Sequence, residues 1–272
     1  MQHVTSLDIR SAIRDLGISG LPVCVHSSLR SFGQVEGGAE AVVEAFLAES
    51  CTLLVPAFSW AFFVSPRAAR GPLRNAFDYG RVSESSRAGP IYTPMTDEID
   101  ASMGAVPRAV VERPGRTRGA HPLSSFAAVG PDAEVLVGAQ APLDAFAPLR
   151  LLAQGGGFVL LIGVGLTSMT LLHLAEACAG REPFRRWATA PSGDVIEVQT
   201  GGCSAGFGAF ERVLAPLARE AVVGASRWRS YPAGAVVEEA TRALQANPQI
   251  THCDNPACEQ CRDAIAGGPL VA

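Results

Sequence analysis

Histidines, hydroxyl groups and a carboxylate, the side chains used for proton transfer, occur in two short segments of the sequence. His121 precedes Pro122 in GAHPLSSFAAVG, on a loop between regular elements. A histidine presented in this way suits a general base, because imidazole titrates near neutral pH. His173 and Glu176 are three residues apart, so a helix would place both on one face. They form either a base with its orienting carboxylate, part of a metal site, or an ordinary surface pair.

The segment that contains this pair, GVGLTSMTLLHLAE at residues 163–176, runs from a buried strand through a glycine-rich turn into a helix. A turn of this kind lies at the carboxyl end of a strand, where doubly wound sheets bind ligands. Thr170 is near the start of the helix. Its hydroxyl either caps the helix or faces a ligand.

The segment HSSLRSFG at residues 26–33 also lies between a buried strand and a helix. The N-terminus of the following helix favours an anion, and serine hydroxyls with the guanidinium of Arg30 suit a pyrophosphate. The alternative is a serine-rich turn that only caps the helix. The segment matches neither a P-loop nor the GxGxxG fingerprint.

Three cysteines near the C-terminus, Cys253, Cys258 and Cys261, are spaced C-x4-C-x2-C, and His252 is adjacent. Thiolates at this spacing can bind zinc, with His252 as a fourth ligand. The alternative is a docked tail with free thiols. Any metal here would be structural, because the cysteines are far in sequence from the other motifs.

The order of apolar segments predicts an α/β fold with a mixed, partly parallel sheet flanked by helices, because strand, loop, helix and strand form a βαβ unit. Residues 60–100 contain several prolines and little periodicity, which indicates a long irregular insertion. We expect a single domain over residues 1–272, with residues 248–272 as a small cysteine-containing C-terminal subdomain. Helices are predicted at 5–16, 37–49, 103–113, 131–141, 170–179, 207–219 and 236–245, and strands at 21–26, 52–56, 158–163 and 195–199.

Composition narrows the class of protein. The chain has 272 residues, a formal net charge of −4 and no lysine. The absence of a basic stretch argues against a nucleic-acid partner, and the absence of lysine excludes Schiff-base and Walker-type lysines. No apolar run reaches the about 18 residues of a membrane span, and the N-terminus lacks a signal-peptide pattern. Scattered single cysteines fit a reducing compartment, so we expect a cytoplasmic protein with no membrane partner.

Together these segments resemble the antibiotic N-acetyltransferase family, whose best-known members acetylate the 3-amino group of aminoglycosides. The resemblance is carried by HSSLRSFG, TLLVPAF, ERPGRTRGAHPLSSFAAVG, LLAQGGGFVLLIGVGLTSMTLLHLAE and GGCSAGFGAF, within residues 20–215. It implies acetyl-coenzyme A as the donor, a small-molecule amine as the acceptor, and antibiotic resistance as the role. It implies no metal in catalysis.

The resemblance also assigns site residues. It implies that the catalytic groups are His121, Thr170, His173 and Glu176, with His121 as the first choice for the base. It implies that coenzyme A contacts His26, Ser27, Ser28, Leu29, Arg30, Ser31 and Ser125.

The acceptor is less well defined than the donor. Family members that act on aminoglycosides often have GVGYD before the helix, whereas this chain has GVGLT. Cationic sugars need carboxylates, and the insertion offers Asp78, Glu84, Asp97, Glu98 and Asp100. An acetyltransferase for another amine stays an alternative, as do a metal-dependent hydrolase that uses His173 and Glu176, and a zinc-containing binding module. The oligomeric state stays open, with a homodimer included.

Overall fold

The structure, a computed structural model, describes residues 3–66, 71–81 and 89–270. Its α-helices are α1 (Ser6–Asp15), α2 (Gly38–Ala48), α3 (Ala105–Glu112), α4 (Ala133–Gly138), α5 (Ala147–Gln154), α6 (Leu171–Cys178), α7 (Glu211–Leu214), α8 (Ala233–Ala246) and α9 (Glu259–Ile265). Its strands are β1 (Pro22–Ser27), β2 (Thr52–Pro56), β3 (Thr117–Arg118), β4 (Phe126–Val129), β5 (Phe158–Ile162), β6 (Phe184–Thr189), β7 (Val195–Thr200), β8 (Arg219–Val223) and β9 (Ser226–Pro232). Within these ranges, every helix is too short or too polar to cross a bilayer.

The main sheet has seven strands in the order β3-β4-β2-β1-β5-β9-β8. The three central strands, β2, β1 and β5, are parallel. The outer pairs on both sides are antiparallel. The predicted mixed, partly parallel α/β sheet is therefore confirmed. Because the central strands are parallel, their carboxyl ends and the loops that follow them meet at one edge of the sheet.

Helices cover both faces of this sheet, since the central strands are buried on both sides. Each face of the sheet has its own hydrophobic core, and alternate residues of β1 belong to different cores. Val23 and Val25 pack with α1, α2 and α3, whereas Cys24 packs with α4, α5, α6 and α8. Both cores are almost completely buried, and most of their residues are less than 5% exposed. The central strands are thus held firmly, and the loops at their carboxyl edge start from rigid positions.

A separate hairpin, β6 and β7, lies beside the insertion and packs on Phe62, Tyr92 and Leu123. The predicted strand at 195–199 is confirmed as β7, whereas its partner β6 was not predicted from the sequence. The hairpin matters for function because β7 ends at Thr200 and delivers the segment Gly201–Gly202–Cys203–Ser204 to the carboxyl edge of the main sheet.

One of the predicted helices differs from the structure. The helix predicted at 207–219 is wrong: the chain forms a 3-10 helix at Ala205–Phe210, the short α7 and another 3-10 turn, and Arg219 begins β8. Pro216 has no amide hydrogen to continue the helix. The other predicted helices correspond to α1, α2, α3, α4, α6 and α8, while α5 and α9 were missed.

The insertion at 60–100 is irregular in its described parts, with 3-10 turns at Trp60–Phe62 and Tyr79–Arg81. The C-terminal tail forms a 3-10 turn, Pro248–Thr251, and α9.

Candidate active site

Three neighbouring cavities follow the carboxyl edge of the parallel strands. We call them the outer cavity, of about 830 Å³, the connecting cavity, of about 210 Å³, and the inner cavity, of about 250 Å³. The outer and connecting cavities share three lining residues, Ser27, Ser102 and Val164. The connecting and inner cavities also share three, Phe58, Ser168 and Thr170. We call this row of three adjoining cavities the channel.

The outer cavity lies between the loop after β1 and the start of α3. Its wall includes Ser27, Ser28, Leu29 and Arg30 on one side and Arg108 on the other. The Arg30 side chain is exposed and has no ion-pair partner among the described residues. The Ser27 hydroxyl is buried and likewise finds no hydrogen-bond partner within the described part of the chain. The unpaired guanidinium of Arg30 and the unsatisfied hydroxyl of Ser27 make this cavity suitable for a polar, anionic ligand.

Two of the predicted cofactor contacts are not in the channel wall. The Ser31 hydroxyl donates to the Ser28 carbonyl at 2.6 Å and lies 2.7 Å from the Ser226 hydroxyl. The buried Ser125 hydroxyl donates to the Ala57 carbonyl at 2.7 Å and accepts from the Arg118 side chain. Neither lines any of the three cavities. Their hydrogen bonds connect loops, and neither hydroxyl is directed to a ligand in this structure.

Close packing explains the glycine-rich turn after β5. A Cβ atom at Gly163 would lie 2.1 Å from the Ser31 Oγ atom, so a larger residue would displace this hydroxyl. The φ angle of Gly163 is also positive, at 63°. The turn and the loop after β1 therefore fit each other directly.

His26, the first residue of the predicted loop, is the penultimate residue of β1 and lines the connecting cavity. Its side chain is buried, and its Nε2 atom lies 3.8 Å from the sulfur of Cys24. Burial lowers the pKa of His26 to about 4. The ring is therefore neutral at pH 7 and presents an uncharged wall to the channel.

His173 lies at the inner cavity. Its Nδ1 atom is 2.7 Å from the Glu176 carboxylate, which fixes Nδ1 as the protonated nitrogen. The ring stacks on Phe146, with centroids 6.0 Å apart, and contacts Phe207 at 4.8 Å. The Nε2 atom accordingly keeps its lone pair. The two aromatic rings and the carboxylate hold this nitrogen in one orientation.

The carboxylate of Glu176 is held in turn by Arg181. The Nη1 atom of Arg181 donates to Glu176 at 2.6 Å and to the Thr251 hydroxyl at 2.7 Å, and its Nη2 atom donates to the Pro248 carbonyl. Arg181 was missed in the sequence, because its contacts join α6 to the tail. The buried acid therefore has the charged partner that burial requires.

His121, the residue predicted first as the base, has a different environment. The ring is fully buried. Its Nδ1 atom accepts from the backbone N–H groups of Leu123 and Ser124, at 3.2 and 2.9 Å, and its Nε2–H donates to the Gln199 carbonyl at 2.7 Å. Burial lowers its pKa to about 4. With both of its nitrogens in hydrogen bonds, the His121 ring has no lone pair for a substrate proton, which favours His173 over His121 as the base.

Thr170 is the residue before α6, and its hydroxyl makes no capping hydrogen bond. It lines both the connecting and the inner cavity, next to Ser168. Of the two readings of this hydroxyl, the structure therefore favours one that faces a ligand.

The opposite wall of the inner cavity was not predicted from the sequence as part of the site. It includes Gly201, Gly202 and Ser204. A Cβ atom at Gly201 would lie 2.6 Å from Cδ2 and 2.8 Å from Nε2 of His173. Only glycine therefore fits against the ring edge, and the double glycine after a strand was the available signal in the sequence.

The three tail cysteines are joined by a fourth that is distant in sequence. The sulfur atoms of Cys203, Cys253, Cys258 and Cys261 all lie within 4.8 Å of one another. His252 is not part of this group, and its Nδ1 atom lies 2.8 Å from the Cys253 carbonyl. This is the one group of three or more potential metal ligands in the described ranges, and His173 and Glu176 are outside it.

The acidic residues of the insertion divide into two groups. Asp78 pairs with Arg81, and Asp97 pairs with Arg116 at 2.7 Å. Glu84 lies outside the described residues. The remaining two lie beside the inner cavity: Glu98 faces the Ser59 hydroxyl at 3.4 Å, and Asp100 accepts from the Trp60 amide at 3.2 Å.

Comparisons with known proteins show which family and fold the chain is similar to. Residues 24–245 match the family model described as aminoglycoside 3-N-acetyltransferase. Aminoglycoside N(3)-acetyltransferase III of Salmonella sp is 36% identical in an alignment of 195 residues, and the match covers 66% of this chain and 63% of that protein. The chain therefore matches less than two thirds of the length of this curated relative.

Solved structures extend the similarity to almost the whole fold. The apoenzyme of aminoglycoside acetyltransferase AAC(3)-IVa superposes with a TM-score of 0.79 and 26% identity, over 98% of this chain and 99% of that one. The binary complex of AAC-IIIb with CoASH superposes with a TM-score of 0.74 over 90% and 97%. Its 22% identity shows a common fold.

Proposed function

Because the chain belongs to the aminoglycoside 3-N-acetyltransferase family, we propose that it transfers the acetyl group of acetyl-coenzyme A to the 3-amino group of an aminoglycoside. This would make it an acyltransferase of antibiotic resistance. The observation that carries the proposal is the channel. It has Arg30 and Arg108 in the wall of its outer cavity and His173 in the wall of its inner cavity. A donor with an anionic head and a reactive end can occupy such a channel from one side.

The outer cavity would hold the phosphates of coenzyme A, with Arg30 as the unpaired cation and Ser27 as a hydroxyl donor. The connecting cavity would hold the uncharged pantetheine arm. Its lining is largely apolar and includes Val25, Pro56 and Met103. The thioester would then lie near Thr170, at the boundary with the inner cavity.

His173 would act as the general base. The amine nitrogen attacks the thioester carbon, and Nε2 of His173 takes one of its protons as the C–N bond forms. Glu176 stabilises the imidazolium through Nδ1–H, as a carboxylate does in other base–orienter pairs. The C–S bond then breaks, and the proton passes from His173 to the departing thiolate. The products are the acetylated amine and coenzyme A.

Hydroxyl groups support the charged intermediate of this reaction. Attack on the thioester places negative charge on its oxygen, which hydrogen-bond donors stabilise. Thr170 and Ser168 both line the region where the connecting and inner cavities meet. We assign the Thr170 hydroxyl, which caps nothing, as the first candidate donor.

The acceptor would be recognised at the rim of the inner cavity. The wall itself carries hydroxyls and aromatic rings, whereas Glu98 and Asp100 lie behind Ser59 and Trp60. Carboxylates next to Ser59 and Trp60 suit a substrate with several ammonium groups besides the reacting amine.

The function is tested by mixing the protein with acetyl-coenzyme A and each member of a panel of aminoglycosides, including gentamicin. We expect thiol release that depends on the aminoglycoside, and NMR of the product should locate the acetyl group on the 3-amino nitrogen. A panel of simple primary amines and polyamines is the control. Faster thiol release with one of those amines than with any aminoglycoside would replace the proposed acceptor and leave the donor unchanged.

A further inference from the structure

Four thiols that come from two distant parts of the chain lie close together in the fold. Cys203 follows the β6–β7 hairpin, and Cys253, Cys258 and Cys261 come from the tail. The four sulfur atoms lie mutually within 4.8 Å. A disulfide joins only two sulfurs, whereas a tetrahedral zinc ion with Zn–S bonds of about 2.3 Å brings four to about 3.8 Å from one another. The four sulfurs are therefore close enough together to bind one metal ion.

We propose that the four cysteines bind one structural zinc ion, and that this ion holds two segments that position the His173–Glu176 pair. Cys203, which lies outside the C-x4-C-x2-C motif in the sequence, is the fourth ligand in place of His252. Binding exchanges four thiol protons for one Zn²⁺, because zinc takes the thiolate form of cysteine.

Each of the two segments begins two residues before a ligand. Gly201 precedes Cys203 and abuts the His173 ring, since a Cβ there would lie 2.6 Å from Cδ2. Thr251 precedes Cys253 and accepts the hydrogen bond from Arg181, which binds Glu176. A single zinc ion would therefore hold two segments. One contains Gly201, which packs against the His173 ring, and the other contains Thr251, which binds the arginine that pairs with Glu176.

The chain itself already brings the two segments together. A Cβ atom at Gly206 would lie 2.1 Å from the Thr251 carbonyl oxygen, so the segment after Cys203 runs directly against the tail. The Cys253 amide also donates to the Cys261 sulfur at 3.5 Å. Amide donors of this kind orient metal-bound thiolates.

Metal analysis of the full chain, purified under reducing conditions and supplied with Zn²⁺, tests the site without reference to activity. We expect about one zinc per chain and, after exchange with Co²⁺, absorption bands of tetrahedral thiolate coordination. Less than about a fifth of an equivalent after supplementation, or recovery of the four cysteines as disulfides, would overturn the proposal.

Variants identify the ligands. Cys203→Ser should weaken zinc retention against a chelator at least about tenfold, and Cys203→His, which keeps a zinc ligand, should restore most of it. Cys178→Ser is the matched control, because Cys178 is exposed and outside the cluster. Equal zinc retention in Cys203→Ser and in the unmodified protein would remove Cys203 from the site. If Cys203→Ser does not fold, the cobalt spectrum of Cys203→His decides: a shift from four-thiolate to three-thiolate coordination supports the assignment, and an unchanged spectrum overturns it.

The effect on positioning rests on the proposed function and needs a separate measurement. Removing zinc should lower kcat at least about tenfold while the Kd for acetyl-coenzyme A changes less than about threefold, because Cys203 lies between Gly202 and Ser204, two residues of the inner cavity wall. Unchanged kcat after full metal loss would overturn the coupling. A protein that holds zinc but transfers no acetyl group would instead overturn the proposed function and leave the site intact.

Discussion

His173 and Glu176 are joined on one face of α6 by a hydrogen bond of 2.7 Å between Nδ1 and Oε2, and each side chain is only 11% exposed. This contact lies at the inner cavity, where we propose that the proton is transferred. It determines that Nδ1 carries the ring proton of His173, whose side chain lines the inner cavity. The first two predictions concern this pair.

His173→Ala should lower kcat at least about a hundredfold, because a positioned base contributes about 10²–10⁴ in rate. The Kd for acetyl-coenzyme A, measured by calorimetry, should stay near that of the unmodified protein. His121→Ala should instead lower the free energy of unfolding by about 2 kcal/mol or more, since it removes a buried ring with three hydrogen bonds. A stable but inactive His121→Ala, beside an active His173→Ala, would restore His121 as the base.

Glu176→Gln should lower kcat at least about tenfold, because an amide does not stabilise the imidazolium that forms at His173. The Kd for acetyl-coenzyme A should stay unchanged, because Glu176 contacts the proposed base. Glu182→Gln is the control, because Glu182 is nearby and exposed and lies 3.8 Å from Arg185. Equal kcat values for Glu176→Gln and Glu182→Gln would contradict the orienting role.

Arg30→Gln should raise the Kd for acetyl-coenzyme A about 10- to 100-fold, the loss of one charge-assisted hydrogen bond to phosphate. It should also reduce the dependence of this Kd on salt. Arg242→Gln serves as the control, because Arg242 is exposed on α8 and already paired with Glu238 and Glu239. A similar small effect in both variants would mean that the phosphates bind elsewhere.

Glu98→Gln should raise the KM for an aminoglycoside about three- to tenfold and leave the KM for acetyl-coenzyme A unchanged, because a rim carboxylate contributes a modest, salt-screened attraction. Asp97→Asn provides the comparison, since Asp97 is the adjacent acid but pairs with Arg116. Initial rates at two salt concentrations measure both effects. A larger increase of KM in Asp97→Asn than in Glu98→Gln would show that the aminoglycoside is not recognised beside Ser59 and Trp60.

Stability should fall as the pH is lowered from about 6.5 to about 4. Burial lowers the pKa of both His26 and His121 to about 4, from an unperturbed value of 6.5. The unfolded chain therefore binds protons that the folded chain excludes, and the stabilisation is complete above pH 6.5 and lost toward pH 4. Each ring contributes at most about 1.4 kcal/mol per pH unit. Urea unfolding at pH 7 and pH 5 measures this loss, and the slope should be smaller in His26→Leu; an identical slope would show that His26 titrates normally.

The framework of the site follows from local patterns in the sequence. The apolar runs of β1, β2 and β5 identify a buried parallel core, and the spacing of His173 and Glu176 places them on one helix face. These signals lie within a few residues of one another, which is why periodicity alone reveals them. The loop after β1 was found for the same reason, because strand, turn and helix are contiguous.

Contacts between distant segments could not be predicted in this way. Nothing near His121 in the sequence indicates that β7 will bring the Gln199 carbonyl to its Nε2 atom. The pairing of Glu176 with Arg181 and Thr251 depends on where the tail docks. Cys203 likewise stands alone in the sequence, 50 residues before Cys253, and joins the other thiols only in the folded chain.

The channel has exposed residues at both of its ends. Arg30 at the outer cavity is exposed, and Trp60 at the inner cavity is 50% exposed. If the proposed donor enters beside Arg30 and the proposed acceptor beside Trp60, neither has to pass through the space that the other occupies. Both can then be bound at once, so the proposed transfer has no need to store the acetyl group between two half-reactions. Double-reciprocal plots of the initial rate should accordingly intersect rather than run parallel, and coenzyme A and the acetylated amine should leave by opposite exits.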